Sequence, residues 1–283
     1  MFIGTAGNSQ SFYDEGHKHT IEAPAWLRTQ GLNAFEYSLG RGISLKEGTA
    51  QQIGREMQKQ GIALSIHAPY FINLAIDDSE RIQKNRSYFL RTAEVAKWMG
   101  AERVVFHPGA VTKMTRQAAL DKAKSFLPRI LAQLDAHGFG QLVFCPETMG
   151  KINQFGTLEE VIALCQLDER LLPTVDFGHL HARSLGGLQC QDDFARVLDA
   201  LEQGVGRERT RQMHIHFSRI EFTQQGEKKH HRFADTEYGP EFLPLAELIV
   251  QRQLQPHIIC ESRGTQAEDA LEMKAMLQAA GAD

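Results

Sequence analysis

Histidines and carboxylates recur at one kind of place in this chain, the carboxyl end of short apolar runs. SIHAPY carries His67, VVFHPGA His107, VFCPETMG Glu147, PTVDFGH Asp176, QMHIHFS His214 and IICESRG Glu261. Imidazole nitrogens and carboxylate oxygens with no thiolate among them suit zinc, manganese or iron better than calcium or magnesium. Taken singly, a histidine in an apolar run reads as a core residue with a satisfied hydrogen bond. Three carboxylates at the ends of buried strands are different, because each would lose several kcal/mol of hydration without a compensating cation. Six ligands exceed what one catalytic ion with an open position takes, so at least two ions follow. Two ions about 4 Å apart, bridged by a carboxylate, suit the attacking and leaving oxygens of a phosphodiester.

Residues so far apart in sequence need a repeated scaffold to meet. Apolar runs of strand length alternate with stretches of helical period, the pattern of βα units on a parallel sheet. The expected strands are Phe2–Ala6, Ala34–Leu39, Ala63–Ala68, Arg103–Pro108, Leu142–Glu147, Pro173–Phe177, Gln212–Phe217 and His257–Glu261. Between them, TAQQIGREMQKQG, SERIQKNRSYFLRTAEVAKWMG and RQAALDKAKSFLPRILAQLDAHG repeat apolar residues at three and four positions and end at Gly61, Gly100 and Gly138. Eight such units predict a (β/α)8 TIM barrel spanning residues 1–283 as one α/β domain. In that fold catalytic residues come from strand carboxyl ends, and the six fall on strands three to eight. An open doubly wound sheet is the alternative, but GTAGNSQSF after the first strand lacks its GxGxxG turn.

Composition bounds the reading. A chain of 283 residues that is 42% hydrophobic can bury one large core. The four cysteines form no CxxC pair, and two sit in expected buried strands, which predicts a reduced, cytoplasmic protein. No run of 18 apolar residues and no basic-then-apolar leader occurs, so neither a membrane span nor export is expected. A formal charge of −4 neither favours nor excludes a nucleic-acid partner, since bound cations set the local field.

HAPYFINLA at His67–Ala75, FHPGA at Phe106–Ala110, PET at Pro146–Thr148, DFGH at Asp176–His179, the MHIHFS run and the ICES run together resemble the endonuclease IV family of apurinic/apyrimidinic endonucleases, within the xylose isomerase-like barrels. The resemblance covers nearly the whole chain. It implies a barrel with three zinc ions that cuts DNA on the 5′ side of an abasic site; the ligand types alone accept manganese as well. It further implies that His67 and His107 bind a first ion and that Glu147 bridges to a second held by Asp176, His214 and Glu261. His179 and His230 remain for a third, and Glu147 and Glu261 are the expected catalytic carboxylates. His181 and His216 are expected to support the ligands rather than to be ligands.

The sequence departs from that family at three places. Where the family has an aspartate two residues before its last histidine ligand, EKKHHRF has Lys228 before His230, or Lys229 before His231. Three arrangements stay open: His179 and His230 with water, a substitute carboxylate such as Glu227 or Asp235, or two ions only. The loop SLGRGIS lacks the family's arginine-glutamine-tryptophan pattern, with Arg41 as a stand-in, and MGKINQFG alters the run after Glu147. Tyr70 and Phe71 occupy the family's wedge positions, where aromatic rings replace stacking lost at a flipped nucleotide; otherwise they cap the barrel core. Lys113, Arg116, Lys151, Arg183, Arg219, Lys228, Lys229, Arg232 and Arg263 are the basic residues available for phosphates. The competing reading is a sugar isomerase or epimerase of the same barrels, with one divalent ion on Glu147, Asp176, His214 and Glu261. Such an enzyme has no use for His67 and His107 as ligands, which favours abasic DNA as the partner. A monomer is expected.

Overall fold

The computed structural model describes residues 1–40 and 42–282. Among them, eight parallel strands form the barrel: Phe2–Ala6, Ala34–Ser38, Ala63–His67, Arg103–Phe106, Val143–Pro146, Thr174–Asp176, His214–Phe217 and His257–Cys260. Numbered one to eight in chain order, they lie side by side as 5-4-3-2-1-8-7-6. The seam between strands five and six closes through parallel bridges Phe144 to Leu171 and Glu147 to Thr174, with Thr148 N–H donating to the Thr174 carbonyl at 3.0 Å. This is the TIM barrel that the alternation of runs predicts, and the open-sheet alternative does not apply.

Strand alternation divides the labour. Ile66, Val104, Phe106, Phe144, Val175, Ile215, Phe217, Ile258 and Cys260 point outward, into one continuous apolar layer beneath the helices. Residues of the opposite parity point into the barrel, where Val105, Cys145 and Leu172 make a small separate apolar cluster. Thr5 aside, the buried polar strand residues Glu36, Ser65, Arg103, Thr174, Asp176, His214 and His216 share that inward parity, beside Ile259 and Ala34.

The helices start and stop by local chemistry. Thr157 caps Leu158–Cys165 with a capping box completed by Glu160. The helices Glu47–Gln60 and Ser79–Met99 end on Gly61 and Gly100, both with the positive φ that a side chain resists. Two features were outside the repeat pattern. The side chain of Asp176 accepts the His179 backbone N–H at 2.7 Å and so caps the short helix Phe177–Arg183. After strand seven the chain forms an antiparallel hairpin, Arg219–Thr223 with Gly226–His231. The hydrophilic GEKKHH stretch is therefore a strand. No helix among the described residues is long and apolar enough to cross a membrane.

Candidate metal centre

The barrel strands end a little earlier than their apolar runs suggest. His67 and Asp176 are the last residues of strands three and six, whereas His107, Glu147 and Glu261 lie just beyond the ends of strands four, five and eight. All five still converge on one rim, and all but the fully buried Asp176 line a cleft of about 480 Å³ also lined by Tyr70, His179, Glu227 and His230. Glu147 is its centre. Its Oε2 lies 3.1 Å from His67 Nε2 and 3.3 Å from His107 Nε2, and its Oε1 lies 3.2 Å from His216 Nδ1 and 3.4 Å from His179 Nδ1.

Three groups of ligand atoms close enough to share a cation surround that carboxylate: His67, His107 and Glu147; Glu147, Asp176, His216 and Glu261; and His179, His230 and Glu261. A buried lone pair supports the fit. Asp176 is fully buried, and its Oδ2 accepts no hydrogen bond, a costly arrangement that a cation would relieve. The imidazoles are oriented for the same purpose. His67 Nδ1–H donates to the Ala68 carbonyl at 2.9 Å, leaving Nε2 toward Glu147, and His179 Nδ1–H donates to the Thr148 carbonyl at 2.9 Å, leaving Nε2 toward Glu227. An N/O donor set that includes no thiolate suits zinc or manganese.

His214 is placed differently from its expected role. It opens strand seven and pairs in register with Thr174 and His257, while His216 pairs with Asp176. Both rings point inward, but His214 sits roughly 6.6 Å lower along the strand, with its Nε2 3.1 Å from Glu36 Oε2. The inward residue nearest the carboxyl end is His216, and it is the one whose ring lies within reach of a cation shared with Glu147, Asp176 and Glu261. His181 is not at the centre either. Its Nδ1 accepts the Leu188 N–H at 3.3 Å and its ring meets Phe222 edge-on at 5.6 Å.

The hairpin brings two further candidate ligands, Glu227 and His230. Glu227 Oε2 lies 3.5 Å from His179 Nε2, and its Oε1 3.9 Å from His230 Nε2. His230 Nδ1 is 3.8 Å from Glu261 Oε2 and shares a 2.8 Å hydrogen bond with Ser218 Oγ. Of the three arrangements open from sequence, the geometry matches Glu227 as the substitute carboxylate. Asp235 is engaged by Arg232 and His231, and Lys228 by Glu221. His231, one residue on, faces away and stacks on Tyr238 at 3.9 Å.

The charges follow from the packing. Burial would raise the Glu147 carboxyl, but His216, His107 and His179 outweigh it and hold the group well below the usual carboxylate range. Burial raises Glu261, and Asp176 and Glu147 add to the rise against the opposing pull of His216 and His230. Burial would lower His67, yet the hydrogen bond and charge of Glu147 bring it to about 9. His214, buried and beside His216, falls to about 4 despite Glu36.

Tyr70, which lines the cleft, and Phe71 beside it are 43% and 48% exposed with rings 4.6 Å apart, so they do not cap the core. Arg183 is committed to the carbonyls of Met149, Lys151 and Ile152, Arg116 to Glu160, and Arg219 to Glu241. Lys151 lines the cleft, and Lys229 and Arg263 line an adjoining groove. Arg41 lies outside the described residues. Sequence reasoning passed over Glu36, whose signal is a single carboxylate inside the apolar run AFEYS on strand two, away from any strand end.

A family model described as xylose isomerase-like TIM barrel matches residues 24–279. An uncharacterized protein of Methanocaldococcus jannaschii is 31% identical over 274 residues, 97% of this chain and 96% of its own length. A probable endonuclease 4 of Shouchella clausii is 29% identical over 218 residues, 73% of this chain and 72% of its own. Among solved structures, endonuclease IV from Thermus thermophilus superposes with a TM-score of 0.69 at 22% identity, covering 94% of this chain and 95% of that one. The 3-keto-D-glucoside 4-epimerase of E. coli, in its apo form, reaches 0.68 at 16% identity with 99% of each chain covered.

Proposed function

The chain belongs to the xylose isomerase-like TIM-barrel family, and from that membership we propose that it is a metal-dependent phosphodiesterase, using zinc, that cuts DNA on the 5′ side of abasic sites. The observation that carries this reading is the double use of Glu147. One of its oxygens faces His67 and His107, and the other faces His216 and His179. A bridging carboxylate between two nitrogen-rich pockets is what a multinuclear phosphodiesterase needs.

In this reading His67, His107 and Glu147 hold one cation, Glu147, Asp176, His216 and Glu261 a second, and His179, Glu227 and His230 a third. Such cations, when bound, supply positive charge to phosphoryl oxygens and acidify water. The residues themselves do the rest. Glu147 stays ionised among its histidines, Glu261 closes the cleft side of the cluster, and Asp176 is fixed in place by capping the Phe177–Arg183 helix. Tyr70 and Phe71 fill the gap in a stacked duplex where a base is missing, and Lys229 and Arg263 meet backbone phosphates. The probable endonuclease 4 of S. clausii supports the reaction class.

A second reading rests on the four-residue group Glu147, Asp176, His216 and Glu261, sufficient for one divalent ion, and on the likeness to the E. coli epimerase fold. Proton transfer beside a sugar carbonyl would then fall to two of these carboxylates. Elemental analysis paired with incision of a duplex carrying one abasic analogue separates the two. Two or three equivalents with 5′ cleavage are expected; one equivalent without cleavage would overturn the proposal in favour of the sugar enzyme.

A further inference from the structure

One tier below the rim, Glu36 projects from the middle of strand two between Ala6 and Ser65 of the flanking strands. Only 1% of it is exposed. Its Oε2 accepts the Ser65 hydroxyl at 2.8 Å and lies 3.1 Å from His214 Nε2, and its Oε1 lies 3.0 Å from His216 Nε2. Among the described residues no lysine or arginine pairs with it. A carboxylate buried this completely is costly unless groups around it answer its charge, and two imidazoles are what the structure supplies.

His216 faces two ways. Its Nε2 meets Glu36, and its Nδ1 lies 3.2 Å from Glu147 Oε1 and 3.4 Å from Glu261 Oε1. The approach to Glu36 is short but angled, so Nε2 and Oε1 make no regular hydrogen bond in this state.

We infer that Glu36 is a positioning residue that fixes which nitrogen of His216 carries the proton and which one is offered to the cation group at the rim. The chemistry is selective. A carboxylate accepts only from N–H, so the tautomer with its lone pair facing Glu36 is repelled; Nδ1 shares a 3.2 Å hydrogen bond with Glu147 Oε1, and a cation among Glu147, Asp176 and Glu261 would replace the proton of that bond and take the Nδ1 lone pair. A neutral, buried imidazole without such a neighbour would divide between tautomers and ring flips. His214 and Ser65 occupy Oε2, which leaves Oε1 for His216. The inference rests on the proposal that His216 is a cation ligand.

The test loads the full chain with cobalt(II) and follows affinity and the visible absorption spectrum. His216→Ala first identifies the equivalent that depends on that ring; if it loses none, the proposed centre fails before Glu36 is tested. Given that loss, Glu36→Gln should weaken the same equivalent roughly 10–100-fold, as removal of a group supporting a metal-bound histidine does, and shift the cobalt absorption. Glu36→Asp, which keeps the charge, should recover part of both. Should Glu36→Gln fail to fold, Glu36→Asp and Ser65→Ala carry the test, with smaller losses and the same direction of spectral shift. Unchanged affinity and spectrum in these variants, with only a lower melting temperature of the cobalt-free protein, would make Glu36 a packing residue and overturn the inference. Loss of an additional equivalent in His214→Ala would overturn it as well, because Glu36, His214 and His216 would then be holding a cation of their own.

Discussion

On the strand-borne half of the rim, Glu147 stands 3.1–3.3 Å from His67 and His107. On the hairpin-borne half, Glu227 stands 3.5–3.9 Å from His179 and His230. The first set is carried at the ends of strands three to five, which are joined to one another by parallel ladders and backed by the apolar layer under the helices. The second depends on an excursion from the barrel, whose docking is set by a close approach between two glycines. A side chain at Gly150 would meet Glu227 Cβ at 2.6 Å and His179 Cδ2 at 3.0 Å, and one at Gly226 would meet the Gly150 carbonyl oxygen at 2.2 Å. Ligands on ladder strands are preorganised by the fold, while ligands on the hairpin are only as well placed as that contact.

The most damaging way to test the difference is at its shared member. Glu147→Gln should empty both strand-borne groups and lower cleavage by more than the roughly 100-fold that loss of a supporting residue costs. Near-normal activity with full metal content would break the comparison. A pH titration of cation binding probes the same half. Below about 9 a cation must displace the proton that Glu147 helps hold on His67, so apparent affinity should climb up to about tenfold per pH unit between neutral pH and that value. In the cation-free protein the sign is opposite. The raised His67 pKa contributes stability that is complete below the ordinary histidine range and lost as pH rises through about 9. A flat binding profile, or one unchanged in His67→Asn, would contradict this.

On the hairpin half, Glu227→Ala and Gly150→Ala should each cost one equivalent of metal and about 10–100-fold in cleavage while sparing the other sites. Equal loss from all sites would show that the halves are not separable. Tyr70→Ala should weaken binding to abasic duplex by about 1 kcal/mol, the lower end for a stacked base, and leave hydrolysis of a small diester untouched; equal effects on both would remove the wedge role. The smallest effect belongs to Lys228, whose partner is Glu221 and not the cluster. Lys228→Ala should leave metal content and melting temperature unchanged, and any loss of metal would place it in the centre.

How much of this was legible in sequence depended on parity and position. The barrel was, because alternating β and α periods state their own architecture, and strand ends announced His67, His107, Glu147, Asp176 and Glu261 by type. The choice between His214 and His216 was not, since both occupy inward positions of one apolar run and only the point where the strand leaves the ladder separates rim from interior. Glu227 and His230 were candidates by type, but the choice among Glu227, Asp235 and water was not legible, for another reason. GEKKHHR is hydrophilic enough to read as a solvated loop, and its pairing with RIEFT, which turns His230 inward and His231 outward, is a long-range fact.

The sequence by itself determined the repeat, the apolar faces and the donor chemistry, because hydrophobic period and side-chain type are local properties of the chain. Only the tertiary structure decided which donors come within reach of a common cation, that Glu36 lies under His216, and that a hairpin brings Glu227 to the rim. Those depend on register between strands far apart in the chain, where a shift of two residues exchanges one histidine for another with no change in the pattern of polarity.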